Sequence, residues 1–400
     1  MGLQGDAAIV GVADWKPERK PSGPPQFMVE QWAELARLAL ADAGIEANEV
    51  DGLVTPRISE SNNFVPATVA EYCGFEVNLA EMVDLGGANA VGAVWRAASA
   101  VELGLCDVVV CAIPARPTPR DPRGDEDLQL QWMFGASSNA YGSPQAEFDS
   151  PYGNLAQNAG YSMIAQRYAA VHGYDERAMA KLAVDQRKNA CAHPDAVFHG
   201  QPITEDDVLA SRMIADPLHL LEIVMPVAGG HALVVASRER AKRAPHRPVI
   251  VAGCGERLAI KTPTYARDLL ETPVGPAADL AFSMAGVRRD EIDLACVYDC
   301  YTITALLTLE DAGFCPKGQG MAFVRDHDLT WQGDFPLNTH GGQLSYGQAG
   351  GAGGMSQVNE AVHQIRREAA GRQVEGCDTA FVSGTGGVMS EQSALILRGA

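Results

Sequence analysis

Apolar and polar positions along the chain change repeatedly from short continuous runs to helical spacing. AAIVGV at 7–12 is an apolar run of the kind that forms a buried strand, whereas the segments after Met28 and Gly354 carry apolar residues three and four positions apart. These stripes predict two helices with one core-facing side each. Their core residues are Trp32, Leu35, Leu38 and Ala39 in the first and Met355, Val358, Val362 and Ile365 in the second. The pattern predicts an α/β protein.

The same order of segments occurs twice. AGIEANEVD at 43–51 matches AGVRRDEID at 285–293, 242 residues later, and AAIVGV at 7–12 lies opposite PVIVAG at 248–253, 241 residues later. Each copy predicts an apolar strand, a helix, a turn that begins with Ala-Gly, and a second strand. The chain therefore consists of two halves with one plan.

Later segments extend the duplication and locate an insertion. CDVVVCA at 106–112 and CDTAFVS at 377–383 predict one further strand in each half, after a glycine-rich turn and a helix. We place the halves at 1–240 and 241–400, and the segment from about 114 to 215, which has no counterpart, is predicted to be a loop insertion that carries substrate contacts. Alternating strands and helices predict mainly parallel sheets, with helices on both faces and between the halves.

Composition excludes several classes of protein. A net charge of −19 argues against a general polyanion binder, because a phosphate backbone requires a basic surface. The start of the chain shows no signal-peptide pattern, and no run approaches roughly 18 apolar residues, so we expect a cytoplasmic protein without a membrane span. The nine cysteines have no metal-type spacing, and neither GxGxxG after the first strand nor GK(S/T) is present. We therefore expect no metal, no bound cofactor and no nucleic acid.

VDLGGANAVGAV at 83–94 reads as a strand that passes into a helix through a turn with two glycines. Many α/β enzymes present a nucleophile at such a turn, yet neither glycine has a side chain that reacts.

Several spaced motifs resemble the thiolase superfamily, more narrowly the sterol-carrier-protein-type thiolases and their lipid-transfer-protein relatives. They are DAGFCPKGQG at 311–320, NTHGGQLSYGQAGGAGG at 338–354 and SGTGG at 383–387, within the duplicated plan. The resemblance implies a five-layered αβαβα subunit and a homodimer built across the first halves. It also implies an acyl-CoA substrate, of which CoA is a part, with its thioester where the strand ends meet.

Three catalytic positions of thiolases differ in this sequence. By the resemblance, the acyl-accepting cysteine falls on Gly87, the GHP histidine on Gln348, and the histidine of HDCF on Tyr298. Without a thiolate no acyl-enzyme forms at position 87. The resemblance further assigns substrate-binding positions to Gly87, Cys300, Gly342, Gln348 and Gly386.

Two interpretations of this loss remain open. One is a decayed site on a protein that only carries lipid thioesters, and the other is a repurposed enzyme with Tyr298 and Tyr346 on inherited catalytic positions. A lost cysteine with gained tyrosines is similar to the lipid-transfer-protein aldolases of bacterial steroid side-chain degradation, which release propionyl-CoA from a 17-hydroxy steroid acyl-CoA. This implies a small OB-fold acyl-CoA-binding partner and a heterotetramer. A thiolase or acyltransferase that uses another thiol, such as Cys300, is a further alternative.

Retro-aldol cleavage needs a base for the substrate hydroxyl and an acid for the enolate carbon, for which Tyr298 and Tyr346 are the candidates. A phenol with a pKa of about 10 is a poor base at neutral pH and needs tuning by its neighbours. The sequence leaves the two roles unassigned, although the loop of Tyr346, which in thiolases holds the proton-transfer histidine, favours it as the group that addresses the α-carbon. His340 is either a donor to the thioester oxygen or a support of the glycine loop. Asp299 is the next candidate if the phenols only line the pocket, and His231 is predicted to be structural.

Overall fold

The computed structural model describes residues 3–119, 141–143, 145–154, 157–260 and 263–400. The first half begins with β1 (Ala7–Glu18), α1 (Met28–Ala43), β2 (Gly52–Thr55), α2 (Val65–Cys73), β3 (Leu79–Met82), α3 (Asn89–Glu102) and β4 (Val108–Ala115). It continues with α4 (Gln157–His172), α5 (Glu176–Ala192), α6 (Glu205–Ala210), β5 (Met213–Ala215), β6 (Leu218–His219), β7 (Ala228–Ser237) and α7 (Arg238–Ala241).

The second half repeats this order with other connections. Its elements are β8 (Val249–Leu258), α8 (Val274–Ala285), β9 (Leu294–Cys296), α9 (Thr302–Asp311), α10 (Gly320–Asp326), α11 (Gly342–Ser345), α12 (Gly353–Arg366), β10 (Thr379–Gly386) and β11 (Glu391–Gly399). A single 3-10 turn precedes each of two helices: Gly86–Ala88 leads into α3 and Gly350–Ala352 leads towards α12.

Nine strands form one continuous sheet in the order β3-β2-β4-β7-β1-β8-β11-β10-β9. The strands β1-β7-β4-β2 and β8-β11-β10-β9 follow the same order in the two halves, which confirms the duplication. The expectation of mainly parallel sheets was wrong, because among the described strands only β2 with β3, β2 with β4 and β9 with β10 pair in parallel. In the second half, residues 387–390 join β10 directly to β11, and so short a connection can only produce an antiparallel pair.

The layers follow from which face of the sheet each helix buries. The helices α3 and α12 share one apolar core with residues from both halves of the sheet, for example Val91 and Met355. On the outer faces, α1 buries Trp32 against the first half, and α8 buries Phe282 against the second. The predicted five-layered αβαβα arrangement is confirmed. Of the predicted helical stripes, only Leu38 is incompletely buried.

The insertion lies between β4 and β7 and is described in part, since residues 120–140, 144 and 155–156 fall outside the described residues. Its helix α4 packs across the second half. Tyr161 donates a hydrogen bond to the Gly387 carbonyl (3.1 Å), and the Tyr168 hydroxyl lies 2.5 Å from a carboxylate oxygen of Glu310. The insertion thus reaches the end of the sheet where β9 and β10 finish. Within the described ranges, no helix has the length and apolarity needed to cross a bilayer.

Candidate active site

Tyr298 follows the carboxyl end of β9, and the side chains of Asn338 and Ser383 fix the backbone there. The Asn338 side-chain amide accepts from the Val297 N–H (2.8 Å) and donates to the Val297 carbonyl (2.9 Å). The Tyr298 N–H then donates to the Ser383 Oγ at 3.2 Å. Neither Asn338 nor Ser383 was singled out from the sequence, although each lies in one of the quoted motifs. These hydrogen bonds fix the orientation of the Tyr298 side chain at the end of β9.

The phenol of Tyr298 lies over Gly87, the position that the resemblance matched with the thiolase cysteine. A Cβ built on Gly87 would overlap the Tyr298 hydroxyl and ring carbon Cζ, and it would also overlap the Thr385 carbonyl oxygen. The turn is fixed by a bond of 2.5 Å from the Leu85 N–H to Asn89 Oδ1. Tyr298 therefore occupies the space that a nucleophilic side chain at position 87 would need.

Gln348 is the direct partner of the phenol. Its Nε2 donates to the Tyr298 Oη at 2.9 Å, while its backbone is held by Met225 and Val227. Burial, the largest influence, raises the pKa of Tyr298 above its ordinary value, and the bond from Gln348 acts in the opposite direction. A donor to the phenol oxygen stabilises the phenolate, so Gln348 favours loss of the Tyr298 proton.

The substrate side of this cluster is marked by glycines. Gly86, Gly350 and Gly387 are exposed, whereas Tyr298 is 3% exposed beneath them. The N–H of Gly87 belongs to the first turn of a 3-10 segment, where no intrahelical acceptor exists, and it donates to no described residue. A backbone donor of this kind can stabilise an oxyanion that develops beside Tyr298.

Gly386 packs against the other side of the same turn. A Cβ built there would overlap the Leu85 carbonyl oxygen, so the end of β10 approaches the Leu85–Ala88 turn backbone to backbone. Of the predicted substrate-binding residues, Gly87 and Gln348 contact Tyr298, and Gly386 contacts the turn that holds Gly87.

Tyr346, the second predicted tyrosine, has different neighbours. Its ring lies 5.1 Å from those of His193 and His340 and 6.4 Å from that of His231, measured between centroids. Burial raises the pKa of Tyr346 well above its ordinary value, and Asp14 adds to this. Its hydroxyl makes no hydrogen bond to a described residue, and no ring contact joins it to Tyr298. Tyr346 is 4% exposed, in a cluster of histidines.

His340 is buried, and its hydrogen-bond pattern assigns its tautomer. The Ser356 hydroxyl donates to the Gly353 carbonyl at 2.7 Å, so the His340 Nε2, 3.3 Å from that oxygen, carries the hydrogen that Ser356 accepts. The Nδ1 is buried without a partner among the described residues. Burial lowers the pKa of His340 to about 3, so the ring is neutral at pH 7. This arrangement favours loop support over donation to a thioester.

Asp299 and Gly342 support the loop that carries Tyr346. The buried Asp299 carboxylate accepts from the Gln343 N–H at 2.7 Å, at the start of α11, whose last residue precedes Tyr346. Gly342 has a φ of +62°, and a Cβ there would overlap the Asp299 carboxylate. Burial raises the pKa of Asp299 to about 7 against the effect of these backbone donors. Both residues are buried, and they contact each other and the backbone of this loop.

Cys300 lies beneath helix α4. Its thiol donates to the Tyr161 hydroxyl at 3.3 Å and lies 3.4 Å from the Thr304 Oγ1. Burial raises the pKa of Cys300 to about 11, which keeps it a thiol at neutral pH, and a thiol is a weak nucleophile. Among the described residues, no group of three or more His, Cys, Asp or Glu is arranged to hold a metal ion.

Comparison with known proteins adds a family and several relatives. A family model described as Thiolase C-terminal domain-like matches residues 255–399. The chain is 34% identical to a steroid side-chain-cleaving aldolase of Thermomonospora curvata, over 96% of both chains. It is 33% identical to the 17-hydroxy-3-oxo-4-pregnene-20-carboxyl-CoA lyase of Mycobacterium tuberculosis, over 99% of this chain and 100% of that one.

A solved structure gives the same result for the fold. The chain superposes on a structure described as Ltp2-ChsH2(DUF35) aldolase with a TM-score of 0.84 and 31% identity, which covers 99% of this chain and 98% of the other.

Proposed function

The chain belongs to the thiolase superfamily, in the branch of the steroid side-chain-cleaving aldolases, and from this premise we propose that it cleaves a β-hydroxyacyl-CoA without a cysteine nucleophile. The protein is a carbon–carbon lyase, and the proposed reaction is a retro-aldol cleavage. The proposed substrate is a 17-hydroxy steroid side-chain CoA thioester, which gives a ketone and propionyl-CoA. The observation that carries the proposal is the Tyr298 phenol in the space of a side chain at position 87.

Tyr298 is proposed as the base. Its oxygen already accepts a hydrogen bond from Gln348, which stabilises the phenolate. Burial keeps Tyr298 a phenol at rest, so it first loses its own proton to solvent. The phenolate then takes the proton of the substrate hydroxyl, the Cα–Cβ bond breaks, and the bond electrons pass to the thioester as an enolate. The N–H of Gly87 donates to the enolate oxygen and stabilises the negative charge that develops there. The residues of this chain supply the proton transfer and the oxyanion donor.

Tyr346 is proposed as the acid that protonates the enolate carbon. Burial and the nearby Asp14 charge keep its phenol protonated, so it holds a proton for the carbon when the enolate forms. Each turnover therefore places the hydroxyl proton on Tyr298 and moves the Tyr346 proton to the α-carbon. No water and no redox partner enters the balance.

Assembly with other chains is part of the proposal. The nine-stranded sheet ends at β3 with an edge that has no partner strand among the described residues, and Met82 on this strand is 42% exposed. Such an edge favours pairing with another chain, and we propose a homodimer across it. The related structure names two components, Ltp2 and ChsH2(DUF35), which supports a small OB-fold acyl-CoA-binding partner and a heterotetramer here.

Light scattering at micromolar concentration tests the dimer. A mass near twice 42.4 kDa is expected, and a stable monomer would refute this part of the proposal.

One assay separates the lyase from its alternatives. The protein, with and without an OB-fold partner, is incubated with a 17-hydroxy steroid side-chain CoA, and the products are separated by liquid chromatography with mass detection. A lyase releases a ketone and propionyl-CoA, whereas a carrier returns the intact thioester.

A second incubation tests the use of another thiol. With a 3-ketoacyl-CoA and free CoA we expect no acyl transfer and no acylated protein by mass spectrometry, because Cys300 is a buried thiol with a raised pKa. Thiolytic turnover that is lost in Cys300→Ser would establish the acyltransferase alternative instead.

A further inference from the structure

The second catalytic tyrosine lies at the inner end of a line of buried titratable side chains. His231, in β7, is paired across the sheet with Asp14 of β1, and its Nδ1 lies 2.6 Å from the Asp14 Oδ1. The other carboxylate oxygen of Asp14 lies 3.0 Å from the Nε2 of His363, on α12. His231 thus lies between the Tyr346 ring, 6.4 Å away between centroids, and a carboxylate that it shares with a second histidine.

The line continues to the surface. The His363 Nδ1 lies 3.9 Å from one carboxylate oxygen of Glu368, and the other oxygen lies 2.7 Å from the His246 Nδ1. The side chains of Glu368 and His246 are 34% and 35% exposed, whereas that of His231 is 2% exposed. Consecutive proton-carrying groups therefore run from solvent at Glu368 to His231, and the ring of His231 lies 6.4 Å from that of Tyr346 between centroids.

The other two histidines around Tyr346 have different partners, and His193 is itself half-buried. The His340 Nε2 is committed to Ser356, and its Nδ1 has no partner among the described residues. The His193 Nδ1 accepts from the Asp195 N–H at 3.1 Å. Burial lowers the pKa of His193 to about 4 and that of His340 to about 3, so neither ring holds an extra proton at neutral pH.

Other charged and polar groups face this line from the neighbouring elements. Asn359 of α12 donates to the Asp14 carboxylate at 2.8 Å, and Arg366 lies 3.8 Å from Glu368. Asp42 of α1 bonds Arg366 and lies 3.3 Å from the His246 Nε2. On the other side of Tyr346, the Glu360 carboxylate is paired with Arg372. Asp14, Glu368 and Asp42 are thus the carboxylates in direct contact with the histidines of the line.

We propose that His231, Asp14 and His363 return a proton from solvent to Tyr346 after each turnover. The inference rests on the proposed function, in which Tyr346 gives its proton to the enolate carbon and becomes a phenolate. One proton enters at Glu368 and passes through His363, Asp14 and His231 to that phenolate, while the proton taken up by Tyr298 leaves to solvent. The protein is neutral in protons over the cycle, and the three residues act through Tyr346 as positioning and relay residues.

The charges on Asp14 and His363 favour proton movement from solvent towards Tyr346. Burial opposes the charged forms, yet the hydrogen bonds between them hold the pKa of Asp14 well below its ordinary value and raise that of His363 to about 9. At neutral pH the extra proton therefore resides on His363, in contact with the Asp14 carboxylate. A phenolate on Tyr346 would draw that proton inward.

The test compares the first turnover with the later ones in rapid-mixing experiments with the 17-hydroxy steroid side-chain CoA. Asp14→Asn and His363→Gln keep hydrogen-bonding groups but remove the titration. We expect the first propionyl-CoA per site to form at the wild-type rate, followed by a steady-state rate at least tenfold lower. Added imidazole, a small proton donor, should restore the steady-state rate of these variants in proportion to its concentration.

A matched control replaces a buried histidine–carboxylate pair away from the line. His219 lies 3.2 Å from Glu222, and His219→Gln should show neither a burst nor imidazole rescue. If Asp14→Asn fails to fold, His363→Gln carries the test alone, because its side chain is 28% exposed and tolerates replacement better.

The outcomes distinguish this inference from the proposed function. A wild-type protein that leaves the thioester intact refutes the proposed function itself. An active wild type with variants that slow the first turnover as much as later ones, or with no imidazole rescue, refutes the relay and leaves a structural network. A burst with rescue supports the relay.

Discussion

Each half of the chain sends one helix into the middle layer, and the same three residues, Gly-Gly-Ala, precede both helices. The first glycine of each turn has a positive φ, +58° at Gly86 and +48° at Gly350, so the two turns share a local conformation that favours glycine. The second glycines differ. A Cβ on Gly87 would overlap Tyr298 and Thr385, whereas one on Gly351 would meet only the Asn89 Nδ2 at 4.0 Å.

The helices behind the two turns differ in the same sense. The buried side of α3 consists largely of alanine and valine. The buried side of α12 is polar and includes Gln357, Asn359, Glu360 and Gln364. Gln357 bonds the Val297 carbonyl before Tyr298, and Asn359 bonds Asp14. Glu360 and Gln364 both bond the Thr339 hydroxyl. One duplicated unit therefore supplies room and apolar packing, and the other supplies donors and charges. Within the proposed site, the first half thus supplies the space at Gly87, and the second half supplies most of the polar groups.

Removal of the phenol hydroxyls should have the largest effect on this comparison. Tyr298→Phe keeps the ring above Gly87 but removes the group that Gln348 contacts, and Tyr346→Phe keeps the packing among the histidines. Each variant should lose roughly 100- to 10,000-fold in kcat, the usual contribution of general acid–base catalysis. The melting temperature should change little. Near-full activity in both variants would reduce the phenols to pocket lining and shift attention to His340 and Asp299.

The two second glycines offer a matched pair of substitutions. Gly87→Ala forces Tyr298 and the Thr385 carbonyl to move, and overpacking of this kind costs about 1–3 kcal/mol, with a loss of roughly tenfold or more in kcat. Gly351→Ala meets an ordinary contact and should stay within about 0.5 kcal/mol of the parent. Chemical denaturation and steady-state kinetics on both variants measure the difference. Equal effects at the two positions would contradict the crowding that distinguishes them.

A substitution at Gln348 tests how far this side chain lowers the pKa of Tyr298. Gln348→Met keeps the side-chain length and removes the donor to the Tyr298 oxygen. The loss of a hydrogen bond to a charged oxygen is worth about 1.5–3 kcal/mol, so kcat should fall roughly 10- to 100-fold. The pH at which the base titrates should rise, because the phenolate loses a donor. An unchanged pH–rate profile would show that Gln348 binds substrate without influencing Tyr298.

The pH dependence of stability should give the smallest effect. The folded pKa of His363, about 9, exceeds the ordinary value of about 6.5, so its contribution is fully present below about pH 6.5 and is lost as the pH rises through about 9. With a side chain 28% exposed, we expect about 1 kcal/mol, or roughly 2 °C in Tm. The Tm gap between the parent and His363→Gln should close over this range. A constant gap would mean that the titration of His363 is not coupled to folding.

The repeat and the helical stripes were sufficient to predict the fold class and the five layers, because duplication and amphipathic spacing are properties of local sequence. They did not predict strand direction. Strand β7 lies between β4 and β1, and β11 lies between β8 and β10. These positions depend on contacts between segments that are distant in the sequence.

The candidate site also combines features that the sequence predicted with others that depend on distant contacts. Motif positions indicated Gly87, Tyr298 and Gln348 as one group, and their mutual contacts agree with it. The sequence did not distinguish residues that face the opening from those that support it, such as Asp299, and it did not indicate Asn338 or Ser383 as backbone anchors. Asp14 lies in no quoted motif, and its place in the proposed proton line arises only from its contacts with His231 of β7 and His363 of α12.

By itself, the sequence determined the duplicated plan, the absence of a cysteine at position 87 and the presence of Tyr298 and Tyr346 in the motifs. Only the tertiary structure decided that one phenol lies in the space above Gly87 while the other lies among histidines. The physical reason is that conformation within a turn depends on neighbouring φ and ψ angles. The environment of a side chain, with its burial, hydrogen-bond donors and charges, depends on segments hundreds of residues away, from Asp14 of β1 to His363 of α12.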